Sequence, residues 1–196
     1  TESDLAYVQD TGTLVVGITY FDPMDYKEEG SDEWVGFDAD MAKAFAESLG
    51  VEVEFQEITW DYKVEELNSK AIDCVWNGMT LNDEVQAAMS TSVPYCTNYQ
   101  VLVVPADRAA DFEGLTSLEG LNIAVESGSA GEEAAAALGA TTVPVQAQAN
   151  ALMEVSAGTS DAAVIDFLMA DSMVGEGTSY ADLTYTLNLN EAQDLP

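Results

Sequence analysis

The stretch that decides the fold is Asp-Cys-Val-Trp-Asn-Gly-Met-Thr-Leu-Asn-Asp-Glu-Val at residues 73–85. It is typical of a buried strand that ends at Asn77-Gly78 and is followed by a polar turn and a helical start. In an open α/β sheet, ligands bind just beyond the carboxyl ends of the strands. Asn77, Gly78 and Thr80 would stand at that edge, where an amide side chain and an approachable backbone can bind a ligand. The alternative is a capped turn with no ligand.

Strands and helices alternate on both sides of this stretch. In the first half the pattern predicts strand, helix, strand, helix and strand at residues 13–19, 36–50, 51–58, 63–70 and 72–76. In the second half it predicts the same order at residues 121–126, 131–139, 141–146, 149–157 and 162–167. This order is typical of mostly parallel sheets with helices on both faces. We therefore predict an α/β fold of two βαβ lobes, residues 1–103 and 104–196, joined by a hinge, with a ligand in the cleft between them.

Two local predictions accompany this fold. Residues 1–12 resemble a frayed leader that ends at Thr11-Gly12. The helix at 36–50 is amphipathic, and the residues that recur at helical spacing and predict its buried face are Phe37, Met41, Ala44, Phe45, Ser48 and Leu49.

Composition excludes several classes of function. The chain of 196 residues has 36 acidic and 5 basic residues and a net charge of −31, which argues against binding to nucleic acid or to anionic membranes. It contains no His, so it has neither an imidazole base nor a His metal ligand. We predict no catalytic residue, no cofactor and no metal. Cys74 and Cys96 lack metal-ligand spacing, and they fit two free thiols as well as one disulfide.

Several motifs together resemble the family 3 extracellular solute-binding proteins, which serve amino-acid ABC importers and have the type II periplasmic binding protein fold. Besides residues 73–84, they are Leu-Val-Val-Gly-Ile-Thr at 14–19, Pro-Met-Asp-Tyr at 23–26, Gly-Phe-Asp-Ala-Asp at 36–40, Glu-Ser-Gly-Ser-Ala-Gly-Glu at 126–132 and Asp-Ala-Ala-Val-Ile-Asp at 161–166. Each motif alone is weak, but together they occur in the order of the family. The resemblance implies an importer component that captures an amino acid or amine outside the cytoplasm, free in a periplasm or held by a lipid anchor. Its partners would be the small ligand and a membrane permease, and we expect a monomer.

The resemblance also implies the site residues. Phe21 and Trp60 would hold the ligand side chain between aromatic faces, although both could instead be core residues. Ser129, just before an Ala-rich helix, would bind a carboxylate with the free N–H groups of the helix start, or would act only as an N-cap. Asp166 would bind the ligand's ammonium group, or would cap the helix that follows it.

The chain departs from the family pattern at two places. Val85 stands where the family usually has the Arg that binds the ligand's carboxylate, and the sequence stops at Pro196, earlier than usual. We therefore expect a C-terminally truncated form. One hypothesis is an amine, amino-acid derivative or cationic amino acid held chiefly by Asp166 and the aromatic residues. The other is an ordinary amino acid whose carboxylate binds at Ser129 and Thr80.

Two other functions remain open on the same fold. The chain could be a ligand-sensing module of a signalling receptor, or an enzyme related to dehydratases. Without His or a reactive Cys, an enzyme would need Asp or Glu for proton transfer, so we predict a binding protein rather than an enzyme.

Overall fold

The computed structural model describes residues 3–196 and confirms the α/β fold. Its helices are α1 (Asp4–Thr11), α2 (Phe37–Leu49), α3 (Lys63–Asn68), α4 (Asp83–Ala88), α5 (Ala109–Phe112), α6 (Ala130–Ala137), α7 (Gln148–Ser156) and α8 (Phe167–Met173). Its strands are β1 (Thr13–Ile18), β2 (Tyr26–Lys27), β3 (Trp34–Val35), β4 (Glu52–Glu57), β5 (Cys74–Val75), β6 (Cys96–Asn98), β7 (Gln100–Pro105), β8 (Asn122–Glu126), β9 (Thr141–Val145), β10 (Ala162–Asp166), β11 (Leu183–Asn188) and β12 (Gln193–Leu195). Within residues 3–196, no helix has the length and apolarity that crossing a membrane requires.

Packing divides the chain into two compact units, Thr1–Met79 (unit 1) and Thr80–Pro196 (unit 2). The predicted division after residue 103 differs from this one. The predicted boundary placed β6 and most of β7 in the first lobe, but β6 pairs with β12, and β7 pairs with β10 and β11 of unit 2. The pairing of these strands therefore sets the boundary of the compact units. No local sequence pattern shows which strands pair.

The sheet of unit 1 has the parallel order β4-β1-β5. Strand β1 is central because it is a continuous apolar run, and Val16 and Ile18 are fully buried. Strand β4 alternates Glu with Val and Phe, a pattern typical of a half-exposed strand, and it lies at the edge of the sheet. The topology brings the carboxyl ends of β1 and β5 to one edge, where residues 77–79 follow β5.

The beginning of the chain is structured, so the predicted leader is wrong for residues 3–12. Helix α1 begins after Ser3, whose Oγ accepts the Ala6 N–H at 3.4 Å, and ends at Gly12 with φ 77°. Val8 on this helix packs with Leu14 in the unit 1 core. Thr1 and Glu2 lie outside the described residues. A short helix with one buried residue leaves too weak a periodicity for sequence analysis to detect.

The predicted buried face of α2 is also wrong. The helix buries Ala39, Ala42 and Ala46 against the sheet, whereas Phe37 and Phe45 remain 52% and 45% exposed. Small residues let the helix approach the sheet closely, and this contact outweighs the larger apolar side chains. Phe45 instead covers Trp76 edge-on, with ring centroids 5.8 Å apart.

The main sheet of unit 2 has the order β11-β7-β10-β8-β9. Strands β9, β8 and β10 are parallel. As in unit 1, the strand that comes first in the chain lies between the second and the third. Strands β7 and β11 are antiparallel to their neighbours. Residues 101–104 of β7, which lies between β11 and β10, are fully buried. Because β7 and β10 run in opposite directions, the first residue of one, Gln100, lies beside the last residue of the other, Asp166.

Candidate ligand-binding site

In unit 1, three of the predicted site residues form one packed group. The ring of Phe21 is 1% exposed and lies against Gly78, where a Cβ would stand 2.5 Å from the Phe21 Cε1 atom. The Asn77 side chain is engaged with Thr19: its Oδ1 accepts the Thr19 N–H at 2.7 Å. These contacts support the core alternative for Phe21. Because the Asn77 side chain is engaged, a ligand at this edge would have to bind the backbone of residues 77 and 78.

Trp60, also in unit 1, is 7% exposed and already has a cation on one face. The Lys63 Nζ lies 4.9 Å from the centroid of the indole ring and donates to the Trp60 carbonyl at 3.4 Å. A cation–π contact of the expected kind therefore exists within the protein. The ligand contact of Trp60 stays a prediction.

In unit 2, Thr80 is 8% exposed, and Val85 is 3% exposed on α4. The Val85 N–H donates to Asn82 Oδ1 at 2.9 Å, which caps that helix. At the Arg position of the family pattern, this chain therefore has a buried apolar side chain. Ser129 is the N-cap of α6, since its Oγ accepts the Glu132 N–H at 3.1 Å. Ser129 therefore caps α6, and whether it also binds a carboxylate stays a prediction.

Asp166, at the end of β10, is 8% exposed and lies in a cage of three side-chain amides. Its Oδ1 accepts hydrogen bonds from Asn98 Nδ2 and, at 2.8 Å, from Gln100 Nε2. Its Oδ2 accepts one from Gln148 Nε2 at 2.6 Å. Asp166 is the residue before α8, but its side chain does not cap that helix, so the capping alternative is wrong. We call Asn98, Gln100 and Gln148 the amide cage.

Electrostatics make this carboxyl group unusual. Burial raises the pKa of Asp166, and the three amide hydrogen bonds act in the opposite direction by favouring the charged form. Unit 2 contains one basic residue, Arg108, which is partly exposed and pairs with Asp111 at 3.3 Å. The cage thus supplies neutral donors to Asp166, and unit 2 supplies no cation to it among the residues that the structure describes.

No pattern in the sequence had indicated the amide cage. Gln100 is the first residue of the apolar strand β7, and Asn98 lies two residues before it. Gln148 is the first residue of α7 and lies 18 residues before Asp166 in the chain. A signal was available, because a carboxylate at the end of a buried strand requires hydrogen-bond donors. Which residues supply them depends on the antiparallel pairing of β7 with β10, which no local pattern shows.

Two further observations concern the cysteines and the arrangement of metal-ligating side chains. Cys74 and Cys96 are both free, which answers the question of a disulfide, and burial raises the pKa of the Cys74 thiol to about 12. Residues 3–196 contain no group of three or more side chains placed to hold a metal ion.

Unit 2 thus contains a buried carboxyl group held by three side-chain amides and a helix start capped by Ser129. The family model of the bacterial extracellular solute-binding proteins, family 3, matches residues 14–154. The chain belongs to this family.

Similar proteins of known name include both a binding protein and an enzyme. The chain is 31% identical over 163 residues to the arginine-binding extracellular protein ArtP of Bacillus subtilis, covering 81% of this chain and 62% of ArtP. It is 29% identical over 140 residues to the cyclohexadienyl dehydratase of Pseudomonas aeruginosa, covering 69% of this chain and 52% of that enzyme. It therefore spans less than two thirds of the length of either relative.

Among solved structures, the arginine-bound form of truncated ArgBP from T. maritima resembles this fold. The TM-score is 0.86 at 28% sequence identity, and the match covers 96% of this chain and 88% of that one. This similarity confirms the predicted fold class and extends over nearly the whole chain.

Proposed function

We propose that this chain is the solute-capturing part of an ABC importer and that it binds a small solute through a cationic nitrogen at Asp166. The observation that carries the proposal is the buried Asp166 carboxyl group, which has three neutral donors and no counter-ion within unit 2. A buried charge without a counter-ion is costly. An ammonium group on the ligand would supply the missing charge and would gain strength from the low local dielectric.

Two observations support an amino acid or amine as the solute. The chain belongs to a family of solute-binding proteins, and a relative of 31% identity is named for binding arginine. The net charge of −31 also favours the approach of a cationic solute over that of an anionic one. With this function, the protein would act outside the cytoplasm and deliver its ligand to a membrane permease.

The nature of the ligand's other end distinguishes the two hypotheses. An amine would need only Asp166 and apolar contacts, consistent with the buried Val85 in place of Arg. An amino acid would also need an anion site, for which Ser129 and the first turn of α6 are the candidates. Losing a bidentate Arg weakens carboxylate recognition, so we favour a solute whose affinity depends mainly on its cationic group.

We place binding ahead of catalysis despite the similarity to a dehydratase. The Asp166 carboxyl group is held by fixed amide donors, an arrangement that suits a static counter-ion, and the chain has no His for proton transfer. A ligand recovered unchanged after prolonged incubation would agree with this assignment, and a product detected by NMR would contradict it.

A thermal-shift screen tests the proposed function. The probes are the twenty common amino acids, L-cystine, Nα-acetyl-L-arginine, agmatine and short diamines, because a ligand that binds only the folded state raises the melting temperature. We expect shifts only from probes with a free ammonium group. Agmatine shifting as strongly as L-arginine would support the amine hypothesis, and a shift from L-arginine alone would support a carboxylate site. No shift from any probe would contradict the proposal.

A further inference from the structure

Gln100 differs from the other two members of the amide cage. The oxygens of Asn98 and Gln148 are both engaged by backbone donors, since Asn98 Oδ1 accepts the Leu168 N–H at 3.3 Å and Gln148 Oε1 accepts the Asp166 N–H at 2.9 Å. The Gln100 Oε1 atom is buried and has no hydrogen-bond partner among residues 3–196. A buried acceptor of this kind calls for an explanation.

The orientation of the Gln100 amide is fixed by its neighbour. Its Nε2 donates to Asp166 Oδ1 at 2.8 Å, and a flipped amide would place two oxygens against each other. The Gln100 backbone is satisfied independently: its N–H donates to Asn190 Oδ1 at 2.8 Å and its carbonyl accepts the Leu189 N–H at 2.9 Å. The Gln100 Oε1 atom therefore lacks a partner within the described part of the chain because Nε2 is bound to Asp166, and the hydrogen bonds of the Gln100 backbone keep the residue in place.

The position of Oε1 connects the cage to the loop of Ser129. A Cβ at Gly131 would lie 3.1 Å from Gln100 Oε1, 3.4 Å from Ser129 Oγ and 3.0 Å from the Val164 carbonyl oxygen. A side chain at this position would crowd the Gln100 amide beside the first turn of α6. The acceptor thus lies between the Asp166 carboxyl group and the residues predicted to meet the other end of an amino acid.

We propose that Gln100 is a ligand-binding residue: its Oε1 accepts one N–H of the solute's ammonium group, while its Nε2 orients Asp166 toward the same group. This inference rests on the proposed function and adds a residue to it. A primary ammonium has three N–H donors and requires several acceptors. The two carboxylate oxygens of Asp166 already accept from three amides, so they offer few free acceptor positions to the ligand. With Asp166 and Gln100 both accepting, the site distinguishes a primary ammonium, which has three N–H groups, from a dimethylated one, which has a single N–H and cannot donate to both residues.

The test compares L-arginine with Nα,Nα-dimethyl-L-arginine by isothermal titration, or uses the same pair built on whichever amino acid gives the largest shift in the screen. The wild type, Gln100→Met and Gln148→Met are measured. Both variants remove one donor to Asp166, but only Gln100→Met removes the free acceptor. Melting temperatures without ligand check that each variant is folded.

We expect the wild type and Gln148→Met to bind the methylated probe roughly 10- to 100-fold more weakly than the parent, as for the loss of a hydrogen bond to a charged group. Gln100→Met should bind the two probes within about threefold of each other. A purely structural role for Gln100 would weaken both probes equally and keep the discrimination, which would overturn the inference. If the wild type binds no amino acid or amine at all, the proposed function fails, and this inference fails with it.

Discussion

Asp166 and Gln148 bind each other reciprocally: Gln148 Nε2 donates to Asp166 Oδ2 at 2.6 Å, and Gln148 Oε1 accepts the Asp166 N–H at 2.9 Å. One amide thereby fixes both the backbone and the carboxyl group of the residue that ends β10. Its side-chain N–H donates to a carboxylate oxygen of Asp166, which favours the ionised form of that residue. Gln148 is therefore a positioning residue for a charged Asp166.

Ligand affinity should fall on acidification. Burial raises the pKa of Asp166, so its charge is lost at a higher pH than that of an exposed Asp, and an ammonium ligand loses its counter-ion with it. Gln148→Met removes a hydrogen bond that lowers this pKa, so the loss of affinity should begin at a higher pH than in the wild type. Titration calorimetry at a series of pH values measures both onsets. Identical pH profiles for the two proteins would show that Gln148 does not control the charge of Asp166.

Gly78 should tolerate a side chain less well than Gly50. Both have positive φ, 57° and 74°, so alanine meets similar backbone strain at each position. A Cβ at Gly78 would also stand 2.5 Å from the Phe21 ring, whereas nothing lies within 4 Å at Gly50. We expect Gly78→Ala to lower the free energy of unfolding by roughly 1–3 kcal/mol more than Gly50→Ala. Urea denaturation of the two variants measures the difference, and equal losses would contradict the packing of Phe21 on Gly78.

Asp25→Asn should stabilise the protein at neutral and alkaline pH. Burial, and then the charge of Asp38, raise the pKa of Asp25 from 3.8 to about 9, while the Ala39 N–H lowers it. The folded state therefore retains a proton that the unfolded state has lost, and stability falls as the pH rises from about 4 to about 9. We expect a gain in the free energy of unfolding of more than about 2 kcal/mol near pH 8 and a much smaller change near pH 4.

The control for Asp25 is Glu54→Gln, which removes an exposed carboxylate from β4 in the same unit. Urea denaturation at both pH values should show little change for this variant. If Asp25→Asn and Glu54→Gln respond alike to pH, the dependence arises from the total charge of the protein and not from the burial of Asp25.

Salt should stabilise the protein. With a net charge of −31, repulsion among exposed carboxylates opposes the compact state, and raising the ionic strength from 0.1 M to 1 M shortens the Debye length from about 10 Å to about 3 Å. We expect the melting temperature to rise steadily with KCl over this range. A flat or falling curve would mean that the few surface ion pairs, such as Lys43 with Glu33 at 3.0 Å, outweigh the repulsion.

Sequence patterns predicted the elements whose character is local. The apolar run of β1 is typical of a strand buried on both faces, and the alternation of β4 is typical of a half-exposed strand. The face of α2 was predicted wrongly, since the close approach of Ala42 and Ala46 to the sheet depends on the strands beneath them. Residue size, and not apolarity alone, decided which face is buried.

The candidate site shows the same limit. Asp166 and Ser129 could be identified from the sequence because each ends or begins a recognisable element. Asn98, Gln100 and Gln148 could not, because they reach Asp166 through strand pairing and through a helix start that is distant in the chain. Phe21 shows the converse, since an aromatic residue beside a predicted binding edge proved to be buried against Gly78.

The central claim is that Asp166 is the counter-ion for a cationic solute. The most direct test is the affinity of Asp166→Asn at pH 7 for the amino acid or amine that gives the largest thermal shift, with Asp171→Asn as a matched control on the exposed side of α8. Titration calorimetry should show a loss of roughly 100-fold or more for Asp166→Asn and nearly unchanged binding for Asp171→Asn. Binding by Asp166→Asn with wild-type affinity would contradict the account.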